Sequence, residues 1–423
     1  MKFSTASLRS HPHGETVMLA LAAAFEAVEP GAAVKDRLRK HPLPPAKRIF
    51  AFGLGKAAPA MTRALADEIP LTDSLLITKH ASAPDFEPVT VILGDHPIPG
   101  QGSLKAGEAA TQFLSQLTDD DLLVCLISGG GSALMTAPLI PLDDLQALTS
   151  ALLASGARIE EINTLRRHLD LLKGGGAAQH ANGARIISLL LSDVVGDPLE
   201  AIASGPTAPD PATREDALSI IEKYKLHGKI PPSIIPALRE TAKPDDPVFE
   251  RVQNQIIGSN SIALHTLSGQ LKEEGIEAKI IDPALQGEAR EIGKEIASRL
   301  KQELNAMPRP FCLLAGGETT VTLRGDGKGG RNQELALAAV SELAGLENVM
   351  LISIATDGED GPTDAAGAVV TGETAQRAKH LGMDAIDFLS RNDAYSFFAK
   401  LDDLIKTGPS GTNVNDLVLC LAF

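Results

Sequence analysis

The stretch from Asp121 to Ser132 reads DLLVCLISGGGS, and it decides the fold class. Its first eight residues are nearly all apolar, which predicts a strand over Asp121–Ser128 that is buried on both faces. Strands of this kind are typical of parallel sheets that helices cover on both sides. Three consecutive glycines follow at the point where the strand ends. The segment therefore predicts an α/β fold with a glycine loop at the carboxyl edge of a parallel sheet.

The same alternation of strands and helices continues on both sides of this segment. Apolar runs that end at turns predict further strands at Arg48–Gly53, Ser74–Thr78, Val89–Gly94 and Arg185–Leu191. Later in the chain, Phe311–Ala315 and Thr319–Arg324 are separated only by Gly-Gly-Glu, which predicts an antiparallel hairpin. A hairpin beside parallel strands would make the second sheet mixed.

Five prolines between Gly228 and Pro247 predict a connection between domains, because proline interrupts helices and removes backbone donors. We therefore expect two α/β domains. The first, over residues 1–235, is Rossmann-like with a parallel sheet, and the second, over residues 248–411, has a mixed sheet. Whether the terminal strand over residues 412–423 returns to the first domain is left open. The active site is expected in the cleft between the domains.

Composition excludes several classes of protein. Lys and Arg number 39 and Asp and Glu number 54, which gives 39 − 54 = −15, so DNA and anionic membranes are poor partners. Aromatic residues make up only 3%, with no Trp, which leaves few platforms for stacking single-stranded nucleic acid. Cys125, Cys312 and Cys420 each lie in an apolar run and are predicted to be small buried hydrophobes. We expect a cytoplasmic protein that binds neither nucleic acid nor a membrane.

The loop Gly53-Leu-Gly55-Lys56-Ala-Ala58 joins the first predicted strand to a helix. Its spacing fits the G-x-G-x-x-G/A pattern of dinucleotide-binding proteins, so a dehydrogenase is one interpretation. That pattern also needs an acid after the second strand to hold the ribose, and Asp73 stands before that strand instead. A site for phosphate or carboxylate is the second interpretation, because Lys56 adds charge at a positive helix start. A plain turn with a solvated lysine is the third.

The second glycine loop consists of Ser128, Gly129, Gly130, Gly131 and Ser132. Glycines let the backbone approach a ligand closely, and the two hydroxyls can donate to oxyanions. The loop is neither a Walker loop nor a G-x-S-x-G nucleophile elbow. Because a purely structural turn does not need three glycines, we favour a binding role.

Charged side chains accompany the next elements. Asp193 and Asp197 follow the strand that ends at Leu191, where carboxylates of an open sheet face the ligand crevice and can bind Mg²⁺. Turn capping explains Asp197 before a proline equally well, so Asp193 is favoured. Arg166 and Lys173 stand seven residues apart on one helix face and are expected to hold an anion, although such a stripe is usually a solvated surface.

Further polar glycine loops fill the second half of the chain. Their candidate binding residues are Glu318, Arg331, Asn332, Asp357, Thr412, Asn413 and Asn415. Arg331 stands at a predicted helix start, where the helix dipole favours an anion, and its planar fork matches a carboxylate or a phosphate. Loops of this kind in both halves indicate a polyanionic ligand.

Taken together, the loops resemble the glycerate 2-kinase family, whose members are also labelled hydroxypyruvate reductases. The blocks GLGKAA, SGGGSA, NTLRRHL, SDVVGDP, SGPT, GGE, GGRNQE, TDGEDGPTDAAGA and GTNVND occur in this order along nearly the whole chain. The segment around GGRNQE resembles the MOFRL-type C-terminal domain of that family. The resemblance implies ATP-dependent phosphorylation of D-glycerate at its C2 hydroxyl, with ATP and Mg²⁺ as cofactors.

Phosphoryl transfer asks mainly for positioning and charge neutralisation. On this interpretation, Lys56 and Arg331 bind the transferring phosphate or the substrate carboxylate, and Asp193 binds a metal or orients the C2 hydroxyl. Asp357 is a second candidate metal ligand. The other predicted nucleotide- or substrate-binding residues are Gly53, Gly55, the 128–132 loop, Arg166, Lys173, Glu318, Asn332, Thr412, Asn413 and Asn415.

Two alternatives stay open. An NAD(P)H-dependent hydroxypyruvate reductase needs a hydride-transfer partner, and His96 in the segment GDHPIP is the loop histidine that suits this role, although a histidine beside proline in a turn is more often structural. A non-catalytic anion-binding protein would have kept the loops and lost the chemistry. The expected partners are D-glycerate and ATP, and a homodimer is left open.

Overall fold

The computed structural model describes residues 3–80 and 85–423. The chain divides into two compact units. The parallel unit is Pro30–Ile257, and the mixed unit combines the residues up to Glu29 with Gly258–Phe423. Each unit is built on one six-stranded sheet, after which it is named here.

The strands alternate with helices along most of the chain. The strands are β1 Arg48–Leu54, β2 Asp73–Thr78, β3 Thr90–Leu93, β4 Asp121–Ile127, β5 Arg185–Leu191, β6 Val252–Gly258, β7 Glu277–Glu288, β8 Phe311–Thr320, β9 Val349–Ala355, β10 Gly367–Thr371, β11 Leu404–Ile405 and β12 Asp416–Ala422. The helices up to β6 are α1 Ala6–Ser10, α2 Gly14–Ala27, α3 Pro30–Lys40, α4 Ala58–Glu68, α5 Gln101–Ser115, α6 Gly131–Leu134, α7 Leu142–Ala154, α8 Ile159–His168, α9 Gly176–His180, α10 Arg214–Lys223 and α11 Ile234–Ala237. The later helices are α12 Asn260–Glu273, α13 Ala289–Glu303, α14 Arg331–Leu343, α15 Thr374–His380, α16 Ala385–Ser390 and α17 Ala394–Leu401.

The sheet of the parallel unit has the strand order β3-β2-β1-β4-β5-β6. β1 pairs in parallel with both β2 and β4, and β4 pairs in parallel with β5. The chain moves outward from β1 to β3 and then crosses back to form β4, so the strand order reverses between β1 and β4. Open α/β sheets bind ligands beyond the carboxyl ends of the strands at such a switch point. The Rossmann-like prediction is confirmed, and it directs attention to the loops after β1 and β4.

The sheet of the mixed unit has the order β11-β10-β9-β12-β8-β7. β7 pairs in parallel with β8, whereas β12 pairs antiparallel with both β8 and β9. The sheet is therefore mixed, as the sequence predicted. All seven residues of β12 are buried, because this strand lies between two neighbours inside the sheet.

The division of the chain differs from the predicted boundaries. Helix α1 belongs to the mixed unit, where the N–H and the hydroxyl of Ser7 donate to the Asp403 carboxylate at 2.8 and 2.9 Å. The first unit begins at Pro30 rather than at residue 1, and it extends beyond residue 235 because β6 joins its sheet. The terminal strand β12 does not return to the parallel unit, since it pairs within the mixed sheet.

The proline-rich segment does not connect the two units. Ile234 and Leu238 in this segment are 0% and 4% exposed and belong to a core that includes Leu165 and Ile221. A solvated linker would expose such side chains. The prolines therefore shape turns within the parallel unit.

The predicted hairpin in the second half is replaced by the single strand β8. Gly316 and Gly317 continue this strand, and both pair with β12. A Cβ at Gly317, whose φ is +152°, would overlap the backbone of Leu285 in the neighbouring strand β7. The glycines serve a close approach of two strands rather than a turn.

Two predictions from composition can be compared with the structure. Cys125, Cys312 and Cys420 are buried and form no disulfide, as predicted, and burial raises the pKa of Cys125 to about 12. Within residues 3–80 and 85–423, no single helix has both the length and the apolar character needed to cross a membrane. The helices α2 and α3 have that length and character only when they are taken together across the bend between them.

Gly293 and Gly269 form a matched pair of helical glycines in the mixed unit. A Cβ at Gly293 in α13 would overlap the carbonyl oxygen of Leu335 in α14, whereas nothing lies within 4 Å of a Cβ at Gly269 in α12. We expect Gly293→Ala to lower the free energy of unfolding by about 1–3 kcal/mol through overpacking. Gly269→Ala should raise it by roughly 0.5–1 kcal/mol. Urea denaturation measures both changes, and equal midpoints would contradict the packing of α13 on α14.

Candidate active site

The loops after β1 and β4 are joined by backbone hydrogen bonds. The N–H of Lys56 donates to the carbonyl of Gly129 at 3.0 Å. The N–H of Ala57, at the start of α4, donates to Ser128 Oγ at 3.0 Å. Gly55 has a φ of +126°, and a Cβ there would stand 2.5 Å from the Ser128 carbonyl oxygen. Only glycine fits at position 55, and the two loops form one rigid surface.

Side chains from three segments surround Gly129 and Gly130. The Asp193 carboxylate follows β5 and lies so close to Gly129 that a Cβ there would overlap its Oδ2. Lys56 Cε and His96 Cδ2 lie 3.3 and 3.4 Å from the position that a Cβ of Gly130 would occupy. We call Lys56, His96, Gly129, Gly130 and Asp193 the glycine-loop site.

The charges of the glycine-loop site favour an anion. Lys56 is exposed, whereas His96 is partly buried. Burial holds the pKa of His96 below its usual value of 6.5, and the charges of Lys56 and Lys79 lower it further. The imidazole is therefore neutral near pH 7. An exposed ammonium group beside open glycine backbone is suited to phosphate or carboxylate oxygens.

Three consecutive residues with positive φ support the glycine loop. They are Ala203, Ser204 and Gly205, with φ values of +50°, +62° and +58°. Ser204 Oγ donates to Ser132 Oγ at 2.8 Å, and a Cβ at Gly131 would stand 2.6 Å from that of Ala203. A non-glycine residue in this conformation costs on the order of 1–3 kcal/mol, and such strain clusters at ligand sites. The observed strain is consistent with a binding role for the loop.

The two predicted cations Arg166 and Lys173 lie in different environments. Lys173 is 3% exposed, and its Nζ donates to Asp170 Oδ2 at 2.6 Å and to the Met135 carbonyl at 2.9 Å. It therefore anchors the end of α6. Arg166 is partly buried, which lowers its pKa, and it makes no ion pair with any residue in the described part of the chain. Arg166 is the better candidate for an anionic ligand.

In the mixed unit, Arg331 lies between carboxylates. Its Nε and Nη2 donate to Asp416 at 2.6 and 3.1 Å, and its Nη1 donates to Glu318 at 2.6 Å. The Asp416 side chain is 7% exposed and that of Glu318 is 46% exposed. We call Arg331, Glu318, Asp360 and Asp416 the arginine cluster. Arg331 is thus held by the protein itself, rather than standing free at the start of α14.

Asp360 caps the first turn of α14. Its carboxylate accepts the N–H of Asn332 at 3.1 Å and that of Gln333 at 2.9 Å. A Cβ at Gly330 would overlap the Asp360 carboxyl group, so the position before the helix must be glycine. Burial raises the pKa of Asp360 to about 7 against the effect of these hydrogen bonds, and the charge of Asp416 adds to the rise.

Several predicted binding residues make hydrogen bonds inside the mixed unit. Thr412 Oγ1 donates to a carbonyl of the N-terminal segment at 2.8 Å, and Asn413 Oδ1 accepts the N–H of Asn415 at 3.1 Å. Asn332 is buried, and its Oδ1 accepts the Ser353 hydroxyl at 2.7 Å. These bonds fix loop conformations, and the binding roles of these residues stay predictions.

Asp193 and Asp357 differ in how well they suit a magnesium ion. The described residues contain no cluster of three or more His, Cys, Asp or Glu side chains that could hold a metal. Mg²⁺ usually takes one or two protein carboxylates and fills its other positions with water and substrate phosphates. Asp193 beside the glycine loop fits this pattern. Asp357 Oδ1 accepts the N–H of Glu359 at 3.1 Å in its own turn, so it fits less well.

Sequence reasoning missed the acids that hold the predicted cations. Asp416 and Asp360 stand in the quoted blocks GTNVND and TDGEDGP, but nothing in the pattern shows that they face Arg331. Asp170 follows the NTLRRHL block, and its spacing of three residues to Lys173 is the signal that could have found that pair. Gly53 was predicted to bind a ligand, whereas a Cβ there would stand 2.5 Å from Thr62 Oγ1 of α4.

Fold and site together define an α/β protein whose glycine loops, at the switch point of a Rossmann-type sheet, are suited to an anionic small molecule. Residues 16–239 match the domain of unknown function DUF4147, and residues 311–416 match the MOFRL family. The chain is 42% identical to a D-glycerate 2-kinase of Thermotoga maritima, over 94% of this chain and 95% of that protein. The chain belongs to the glycerate 2-kinase family.

Two further comparisons bear on the family. The crystal structure of a glycerate kinase from Thermotoga maritima superposes with a TM-score of 0.89 at 41% identity, and the match covers 97% of this chain and 99% of that one. A putative hydroxypyruvate reductase of Agrobacterium vitis is 38% identical over 93% of this chain and 91% of that protein. The names glycerate kinase and hydroxypyruvate reductase, which the sequence analysis connected with this family, therefore both occur among the relatives.

Asp360 makes stability depend on pH. Its pKa is 3.8 in an unperturbed chain and about 7 in the fold, so the folded protein holds an extra proton between these values. Stability contributed by this proton is present below about pH 4 and is lost as the pH rises towards about 7. Asp360→Asn removes the titrating group, so its unfolding midpoint should vary less across that window. Thermal unfolding in buffers spanning the window measures this, with Asp326→Asn, an exposed residue of the same unit, as the control.

The prediction depends on how the unfolding midpoint changes with pH in the wild type and in Asp360→Asn. If the midpoints of the wild type and Asp360→Asn changed in parallel with pH, Asp360 would not titrate in this range.

Proposed function

We propose that this protein is a glycerate 2-kinase, which transfers the γ-phosphoryl group of ATP to the C2 hydroxyl of D-glycerate and releases ADP. The observation that carries the proposal is the 42% identity to a D-glycerate 2-kinase over 94% of the chain. The test incubates purified protein with D-glycerate, ATP and Mg²⁺ and identifies the product by phosphorus NMR. Formation of 2-phosphoglycerate is expected, and the absence of any phosphorylated glycerate would overturn the proposal.

In this proposal the glycine-loop site holds the phosphate being transferred. The Lys56 ammonium neutralises charge that develops on the phosphoryl oxygens, and the glycines let backbone groups approach them. Ser128 keeps the loop in place by accepting a hydrogen bond from the N–H of Ala57 at the start of α4. Arg166, which has no acidic partner among the described residues, supplies a second cation for an anionic group.

Arg331 is proposed to bind the substrate carboxylate or a phosphate through one edge. Glu318 is the exposed partner, so an incoming anion would replace it at Nη1 while Asp416 keeps the other edge. Loss of Arg331 would also leave the buried Asp416 without its partner, which costs about 3–5 kcal/mol. Arg331→Ala is therefore expected to weaken the fold as well as the activity, unlike the loss of an exposed arginine.

The location of the active site in a cleft between the domains stays a prediction.

A magnesium ion would be held mainly by the nucleotide phosphates, with Asp193 as its protein ligand. When bound, the ion would neutralise charge on the β- and γ-phosphates. Asp193 could equally orient the C2 hydroxyl, and the metal role is supported by the hard oxygen donors it offers.

Hydride transfer from NADH has less support. The dinucleotide fingerprint needs an acid beyond the end of β2, and Lys79 and His80 stand at that end instead. Asp73 begins β2 and pairs with Phe50, near the opposite end of β1 from the glycine loop. Incubation with hydroxypyruvate and NADH or NADPH tests this alternative, and we expect no turnover.

The expected small-molecule partners are D-glycerate and ATP. A homodimer, the lack of binding to nucleic acid or membrane, and a cytoplasmic location stay predictions. The three buried free cysteines are compatible with a reducing compartment.

Lys56→Met tests the glycine-loop site. Removal of one preorganised charge from a transition state costs about 10²–10³-fold in rate, so kcat/KM should fall by that factor. Thermal stability should not change, because Lys56 is exposed. Lys47→Met is the matched control, since Lys47 is an exposed lysine of the same unit. Activity of Lys56→Met within threefold of the control would place the phosphate elsewhere.

Asp193→Asn tests the metal ligand. The variant should need a higher Mg²⁺ concentration for half-maximal activity, because an amide oxygen binds a hard cation more weakly than a carboxylate does. Asp197→Asn is the control, since asparagine tolerates the left-handed conformation of Asp197, whose φ is +57°. An unchanged Mg²⁺ dependence of Asp193→Asn, or full wild-type turnover in excess EDTA, would count against this assignment.

A further inference from the structure

We propose that His96 is the general base of glycerate phosphorylation, with one of its ring nitrogens accepting the proton of the C2 hydroxyl. The inference rests on the proposed kinase function. It assigns a role to a residue that the sequence connected only with the alternative of a reductase.

The position of His96 is fixed from both sides. The N–H of Gly94 donates to the Thr78 carbonyl at 3.0 Å, which ties the loop to the end of β2. On the other side, Asp95 Oδ2 accepts the N–H groups of Gly102 and Ser103 in the first turn of α5, at 2.8 and 3.2 Å. The loop therefore presents the imidazole at the carboxyl edge of the sheet in a defined place.

The imidazole lies beside the atoms proposed to hold the phosphate. Its Cδ2 and the Cε of Lys56 approach the same side of Gly130. A hydroxyl that attacks a phosphorus held by Lys56 and the glycine loop would therefore come within reach of the ring. A lysine ammonium group has donors and no acceptor, so Lys56 is not suited to take the proton of the hydroxyl.

The ring nitrogens of His96 bond to none of the described residues, which distinguishes it from three helical histidines. His168, His180 and His265 each bond through Nδ1 to a carbonyl four residues earlier in their own helix. His96 makes no hydrogen bond to a residue within 3–80 or 85–423. A partly buried imidazole that bonds to none of the described residues is in a suitable state to bind a substrate hydroxyl.

The charged groups around His96 keep it unprotonated. Lys56 and Lys79 face it, and both lower its pKa in addition to the effect of burial. The Asp95 carboxylate is turned to the start of α5, and Asp193 lies against Gly129. A neutral imidazole near pH 7 is the form that a general base requires.

The step balances without another reactant. The C2 oxygen bonds to the γ-phosphorus as the bond from that phosphorus to the β-bridging oxygen breaks, and the bridging electrons leave with ADP. The hydroxyl proton passes to the His96 nitrogen and then to solvent after the products leave. Neither an oxidant nor a reductant is involved.

His96→Gln removes the titrating nitrogen and keeps a polar side chain of similar reach. We expect kcat to fall by about 10²-fold or more, with the KM for ATP changed by less than about threefold. In the wild type, kcat/KM should fall on the acid side as His96 is protonated, and this acid limb should be missing in His96→Gln. His227→Gln is the control, since His227 is exposed and pairs with Glu222.

Rescue separates catalysis from folding. His96→Ala should regain part of its turnover when imidazole is added, which a misfolded protein would not do. A kcat of His96→Gln within about tenfold of wild type, an acid limb that persists in it, or no rescue of a folded His96→Ala protein would overturn the inference. A wild-type protein that forms no 2-phosphoglycerate would overturn the proposed function itself.

Discussion

Ser128 packs directly on the backbone of Gly55, and the geometry of the glycine-loop site depends on this contact. It is possible because Gly55 has no side chain and adopts a φ of +126°. The contact fixes the loops after two neighbouring parallel strands to each other, and the N–H of Lys56 then bonds to Gly129. A flexible loop would lose entropy on binding an anion, whereas this surface is ordered before the ligand arrives. Reactions that depend on positioning benefit from such order.

The two clusters use arginine and lysine in opposite electrostatic settings. The glycine-loop site presents an exposed lysine and a neutral histidine, and its one carboxylate, Asp193, lies against Gly129. In the arginine cluster, one guanidinium faces three carboxyl groups. Burial raises the pKa of Asp360 to about 7, which reduces the excess of negative charge. The charge of Arg331 is therefore largely balanced by the protein, and its partner Asp416 fixes the direction of the fork. Local balance, rather than the net charge of −15, determines where an anion can bind.

The sequence predicted the parts that periodicity controls and failed where tertiary contacts decide. β4 and β5 are apolar on both faces, and this pattern correctly indicated a parallel sheet. The pattern of β12 is equally apolar, but nothing in it specifies a neighbour, so its place between β8 and β9 could not be derived. Lys173 and Arg166 are both cations of one predicted helix face, so the sequence does not distinguish them. The structure shows that Lys173 is a buried structural residue and that Arg166 remains a candidate for binding an anion. Prolines near Ile234 suggested a linker because composition does not reveal that this side chain is buried.

The same contact at Gly55 also explains how a Rossmann-type sheet can serve phosphoryl transfer. In the dinucleotide pattern, the second glycine leaves room for a pyrophosphate and the helix start faces it. Here Ser128 fills the space beside Gly55, and its hydroxyl accepts the N–H of Ala57 at the start of α4. Protein atoms thus occupy the place of the pyrophosphate, which agrees with the proposal that the anion binds further along the switch point, against Gly129 and Gly130. The glycine spacing that resembles a dinucleotide fingerprint therefore serves the packing of two loops, and the proposed binding surface lies on the loop after β4.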